Sequence, residues 1–247
     1  MAPSSPPPFT PDPTSDPSTF QSTWRNNPDP TALPFPRSNP PFPLTPTDWH
    51  QLSLRDQDST PHSWTELQHL IATQQLEDLK RWPSQLKAYL AWTTHIKQKY
   101  GGVLQYLLQQ RLFWTPLQPD KDHNAQAQPW PLTFKTQSDI PLAHPADYKI
   151  LRNDWGYALE DGIRHLVVWL KHRLPVEEGT GALSVEGRAL VEGFVEREFR
   201  RRVGEESVGE KVLWFKNTTV LQSVRSLEHV HVLVRGAEED VVGRWMG

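Results

Sequence analysis

Proline is distributed so unevenly that it divides the chain before any other signal is read. Of 24 prolines in 247 residues, 15 fall before residue 51. Proline lacks an amide hydrogen and fixes φ, which keeps it out of helix interiors and central strands. Residues 1 to about 60 are therefore read as a disordered, proline-rich arm. Pro6-Pro7-Pro8 and Pro40-Pro41 favour extended polyproline II. Two roles are open for such an arm: a plain tether, or a ligand for a protein partner that recognises proline. Phe35, Phe42 and Trp49 are apolar enough for the end of the arm to dock on a folded body.

Beyond the arm the fold class reads as α+β. Ser63 and Glu66 have capping-box spacing ahead of Leu67, Leu70 and Ile71, which predicts a helix to about Ala72. Pro83 suits a first helical turn, and Leu86, Tyr89, Leu90, Ile96 and Tyr100 then form one apolar stripe ending at Gly101-Gly102. A further helix is expected from about Val103 to Leu112, so residues 63–114 form a helical subdomain. Residues 115–148, with Pro116, Pro119, Pro129, Pro131, Pro141 and Pro145, read as a connector. Residues 149–247 read as an α+β domain. Ile163–Leu170, Lys211–Phe215 and His229–Val234 are its strands, and Ser184 caps a helix to about Val203. That order gives a small antiparallel or mixed sheet with a helix on one face.

Composition removes several functional classes. The net charge of -3 argues against a nucleic-acid-binding surface. The chain has no cysteine, hence no disulfide, thiolate zinc site or cysteine nucleophile. No apolar run is long enough to span a bilayer, and MAPSSPPPFT lacks the basic and apolar regions of a signal peptide. No membrane association and a cytosolic address, with the nucleus as a second one, are expected. There is no phosphate-binding Gly-rich loop, no G-x-S-x-G elbow and no H-E-x-x-H pair, and no cofactor is read from the sequence.

Four groups of residues could carry chemistry. His229 and His231 flank Val230 on a strand, so a period of two puts both imidazoles on one face. They could hold a metal, act as nucleophile or acid/base, or merely line a half-wet face. His165, on the first strand, could add a third imidazole. Lys216, Asn217, Gln222 and Ser223 offer a charge, amides and a hydroxyl between two strands, a set suited to phosphate or sugar. Asp154 and Trp155, in Asn153-Asp154-Trp155-Gly156-Tyr157, could clamp a sugar or base, or form a packed corner.

Three stretches together resemble the fungal N-acetylglucosamine-induced protein family. They are Leu86-Lys87-Ala88-Tyr89-Leu90-Ala91-Trp92 with Tyr100-Gly101 and Arg111-Leu112; Asn153–Tyr157 with Gly162–Trp169; and Trp214–Asn217 with Leu221–Val224 and His229–Val234. The resemblance spans about residues 64–235 and implies a response to amino-sugar metabolism without naming a reaction. Gly156 departs from it, standing where proline is expected. The C-terminal order is also similar to the histidine-triad nucleotide-binding superfamily. That likeness implies a HIT-like sheet binding a nucleotide or nucleotide sugar, and, if catalytic, a phosphohydrolase or nucleotidyl transferase. It casts His229 as nucleophile and His231 as its flanking partner. Asn217, Gln222 and Ser223 would contact ribose and phosphate, and Lys216 and Arg235 would stabilise phosphate charge. The first histidine of the triad falls on Leu227, and the spacing from Gln222 to the histidines is one residue long. A non-catalytic interaction protein is the alternative.

Overall fold

The computed structural model describes residues 12–27, 29, 31–117, 132–179, 181–203, 211–217, 222 and 224–246. Four strands make one sheet: β1 (Tyr148–Arg152), β2 (Ile163–Leu170), β3 (Val212–Phe215) and β4 (Glu228–Arg235). Their order is β1-β2-β4-β3, and every neighbouring pair is antiparallel. Helices cover both faces, so the class is α+β.

Strand alternation decides which residues meet which layer. Leu166, Val168 and Leu170 of β2 and Val230, Val232 and Val234 of β4 face one side. There they meet α6 (Val185–Val195) through Val191, Phe194 and Val195, and α7 (Glu239–Met246) through Val242 and Trp245. Ser184 accepts from Gly187 N–H and caps α6, which runs on through a wide turn over Glu196–Arg200. Ile163, His165, Val167 and Trp169 of β2, with His229, His231 and Leu233 of β4, face the other side.

That second face is roofed by α3 (Trp64–Ala72), α4 (Pro83–Tyr100) and α5 (Val103–Tyr106), which continues over Leu107–Leu112. Each start and stop has a local cause. Ser63 Oγ accepts from Glu66 N–H, Pro83 sits in the first turn of α4, and Gly101 ends it at φ 83°, where a side chain would be strained.

The arm departs from a bare tether. From Asp12 on it carries α1 (Pro17–Arg25) and α2 (Pro46–Leu52), while residues 1–11, Pro28 and Pro30 lie outside the described residues. Proline starts these helices instead of preventing them. Pro17 and Pro46 occupy the first helical position, Asp16 caps α1, and Thr45 with Asp48 forms a capping box on α2. Phe20, Trp24, Phe35, Phe42 and Trp49 pack on the cluster built around Leu86, Tyr89 and Trp92 of α4. Trp92 Nε1 donates to the Ser15 carbonyl (2.9 Å), and Gln21 Nε2 to the Asp154 carbonyl (2.5 Å). The docking expected of Phe35, Phe42 and Trp49 is present.

Of the connector, residues 118–131 lie outside the described residues. The remainder wraps the body, with Phe134 buried against Trp114 at 5.6 Å. Among the described residues no helix is long and apolar enough to cross a membrane.

Candidate functional site

Three imidazoles meet on the roofed face of the sheet. Antiparallel pairing sets Val167 opposite His231 and Trp169 opposite His229, which places His165 diagonal to His231. His165 Nε2 and His231 Nδ1 lie 3.0 Å apart, and the rings of His231 and His229 are 5.3 Å apart. The third histidine of the cluster thus comes from a neighbouring strand; Leu227, where the triad pattern expects it, is a buried apolar residue.

A polar relay holds His165 and His231. Asn217 Nδ2 donates to His231 Nε2 at 3.3 Å, so His231 Nδ1 carries the proton shared with His165. Asn153 Oδ1 accepts from Trp155 N–H (3.0 Å), which turns its Nδ2 onto the His165 ring, 3.2 Å from Nε2. Tyr157 stacks on His165 at 5.3 Å and Phe215 on His231 at 4.9 Å. His165 Nε2 accepts from His231 Nδ1–H and His231 Nε2 accepts from Asn217, so both lone pairs are spent. Among the described residues no group of three or more His, Asp or Glu is arranged to hold a metal ion.

His229 stands outside this relay. Its Nδ1 is 2.9 Å from the Leu227 carbonyl, which only accepts, so Nδ1 carries the proton and Nε2 keeps its lone pair. No described residue donates to that Nε2, and Trp169 lies against the ring at 4.7 Å.

All three imidazoles are held neutral. Burial, with the charge of Arg81, brings His165 down to about 3. Burial lowers His229, opposed in part by the Leu227 carbonyl. Burial and the two neighbouring imidazoles push His231 well below the usual histidine range.

His229 and His231 line a cavity of about 870 Å³ between sheet and roof. Its walls are mostly aromatic and apolar, with Tyr89, Trp92, Tyr106, Trp155 and Trp169 prominent. Asn217 and Gln222 also line it; Gln222 Nε2 donates to the Asn217 carbonyl (2.8 Å), and Asn217 Oδ1 is buried without a partner. Asp154 lines it too, paired with Arg111 at 3.1 Å, and burial raises its carboxyl above the usual range.

The structure therefore gathers His229, His231, Asn217, Gln222, Asp154 and Trp155 at one cavity, with His165 directly behind His231. Two residues go elsewhere. Lys216 pairs with buried Glu228 at 3.2 Å, and Arg235 lies over the Trp64 ring at 5.0 Å. Six residues of strand carry Arg235 about 20 Å from His229, too far to share one phosphate. Ser223 lies outside the described residues.

Arg81, Arg111, Arg152 and Arg225 line the cavity, and Arg81 is one that sequence reasoning missed. Arg81 lies over Tyr89 (5.0 Å) and Tyr157 (5.4 Å) and donates to the Trp155 carbonyl (3.1 Å). Among the described residues no carboxylate lies within 4.0 Å of it. Its only sequence signal is its place just before Trp82-Pro83, at the start of α4.

Comparison with known proteins adds the lineage. The family model described as "Protein of unknown function (DUF3605)" matches residues 63–235. This chain belongs to the DUF3605 family. It is 27% identical over 184 residues to "N-acetylglucosamine-induced protein 1" of Candida albicans, covering 74% of this chain and 71% of that one. It is 30% identical over 171 residues to "Uncharacterized protein YPL067C" of Saccharomyces cerevisiae, covering 69% and 77%. Among solved structures, "Crystal Structure of HTC1" superposes with a TM-score of 0.51 at 27% identity, over 74% of this chain and 90% of that one. The resemblance to N-acetylglucosamine-induced proteins thus holds. The DUF3605 match contains every histidine, amide and aromatic residue of the sheet-side site and leaves the arm outside it.

Proposed function

We propose that the cavity binds a nucleotide or nucleotide sugar and that His229 attacks its phosphorus. One observation carries this reading: a neutral imidazole, fixed through Nδ1–H to a backbone carbonyl, keeps its Nε2 lone pair at the wall of a large aromatic cavity. Fixing one imidazole nitrogen orients the other, and the Leu227 carbonyl stabilises the positive charge that develops on attack. A histidine nucleophile must be unprotonated, and burial keeps this one so.

The step balances simply. His229 Nε2 forms a bond to the α-phosphorus as the bond from phosphorus to the leaving oxygen breaks. A phosphate-type leaving group departs as its anion. Water then attacks phosphorus, the N–P bond breaks, and the water proton passes to solvent. Arg81 supplies positive charge, Asn217 and Gln222 supply amide groups, and the aromatic walls hold the rest of the ligand. His165 and His231 form a neutral polar floor that holds Asn217 in place.

The test is turnover of UDP-N-acetylglucosamine and of ADP by the full chain, followed by phosphorus NMR, beside a His229→Ala variant. Phosphate ester cleavage by the parent and none by the variant is expected. Equal turnover in both, or none in the parent together with no nucleotide binding by calorimetry, would overturn the reading.

A further inference from the structure

The cavity is not built from the family-matched region alone. Phe42, Pro43, Leu44, Thr45 and Asp48 also line it, and all precede residue 63, where the DUF3605 match begins. Phe42 sits tilted on Tyr89 with ring centroids 5.9 Å apart, and both Phe42 and Leu44 pack on the α4 cluster. This segment has a set conformation. Pro43 and Pro46 restrict φ on either side of Thr45. Thr45 N–H and Oγ1–H both donate to Asp48 Oδ2 (3.0 and 2.9 Å), and Asp48 N–H donates back to Thr45 Oγ1 (3.0 Å).

We infer that Phe42 and Leu44 form the wall that decides what reaches His229. The inference takes the cavity as the ligand site, as above, but does not need the ligand to be a nucleotide. A wall of one aromatic ring and one branched aliphatic chain, set against Tyr89, favours a flat apolar group of the ligand over a hydrated polar one on that side of the cavity. It is a feature of this chain's own arm and sets its ligand preference apart from the chemistry of the histidines.

Access to His229 tests it without any nucleotide. Diethyl pyrocarbonate modifies unprotonated imidazole nitrogens, and its rate at His229 is read by peptide mass spectrometry, with exposed His144 as internal standard. In the full chain, Phe42→Ala is expected to speed modification of His229 severalfold, and Leu44→Trp to slow it. Arg37→Ala, which removes only the cation over Trp49 (5.5 Å), is expected to leave it unchanged. Unaltered rates in both wall variants would overturn the inference. So would an Arg37→Ala rate as fast as that of Phe42→Ala, because that result means loosening of the whole arm. If nucleotides fail to bind, the proposed reaction falls while this result stands on its own.

Discussion

Mild acid should destabilise this protein through the buried imidazoles, and His165 gives the magnitude. An unfolded histidine titrates near 6.5, whereas burial holds His165 at about 3 in the folded chain. Between those values the unfolded chain binds a proton that the folded chain does not. Stability is therefore full above about pH 6.5, falls as pH drops below it, and stops falling near the folded value. Each pH unit in that window is worth about 1.4 kcal/mol, so going from about pH 7 to about pH 5 costs about 2 kcal/mol for His165 alone. Urea unfolding at both pH values, for the parent and for His165→Phe, isolates it. Phenylalanine removes the titration and the bond to His231, so the variant should be weaker at both pH values. The parent, however, should lose about 2 kcal/mol more than the variant between them. Equal pH dependence in the two proteins, or a folded-state His165 that titrates near its ordinary value, would refute the placement of a neutral triad.

Three substitutions probe the frame around the site. Glu228→Gln removes a buried carboxylate that holds Lys216 at 3.2 Å and Arg173 at 3.3 Å, and should cost about 3 kcal/mol in urea unfolding. Gly187→Ala puts a Cβ 2.2 Å from the Pro175 carbonyl oxygen at the start of α6, and should cost about 1–3 kcal/mol, read as a fall in the urea midpoint. Asn217→Ala strips the donor from His231 Nε2, and should cost about 1–2 kcal/mol of stability and weaken nucleotide binding in calorimetry.

Much of the frame was legible because it rests on local rules. Ser63, Pro83, Gly101 and Ser184 start or stop the helices expected of them, and the period of two put His229 and His231 on one face. What was not legible depends on pairing across the chain. The contact of His165 with His231 follows from the β2–β4 register, which neither strand encodes alone. Strand β1 was missed because Tyr148–Arg152 is short and lies at a sheet edge, with a mixed burial pattern. Helices α1 and α2 were hidden by composition. Proline density reads as extended chain, yet Asp16, Thr45 and Asp48 beside Pro17 and Pro46 are start signals. Lys216 and Arg235 looked suited to phosphate by type, but Glu228 and Trp64 take them.

The proposed chemistry at the cavity depends on the lone pair at His229 Nε2. That lone pair is read most directly in a long-range proton–nitrogen spectrum of full-length protein labelled at histidine nitrogens, with and without UDP-N-acetylglucosamine or ADP. The expected result is a His229 ring protonated at Nδ1 and bare at Nε2 at neutral pH, with the Nε2 resonance moving when a nucleotide is added. A proton on Nε2, or an Nε2 resonance that no nucleotide moves, would contradict it.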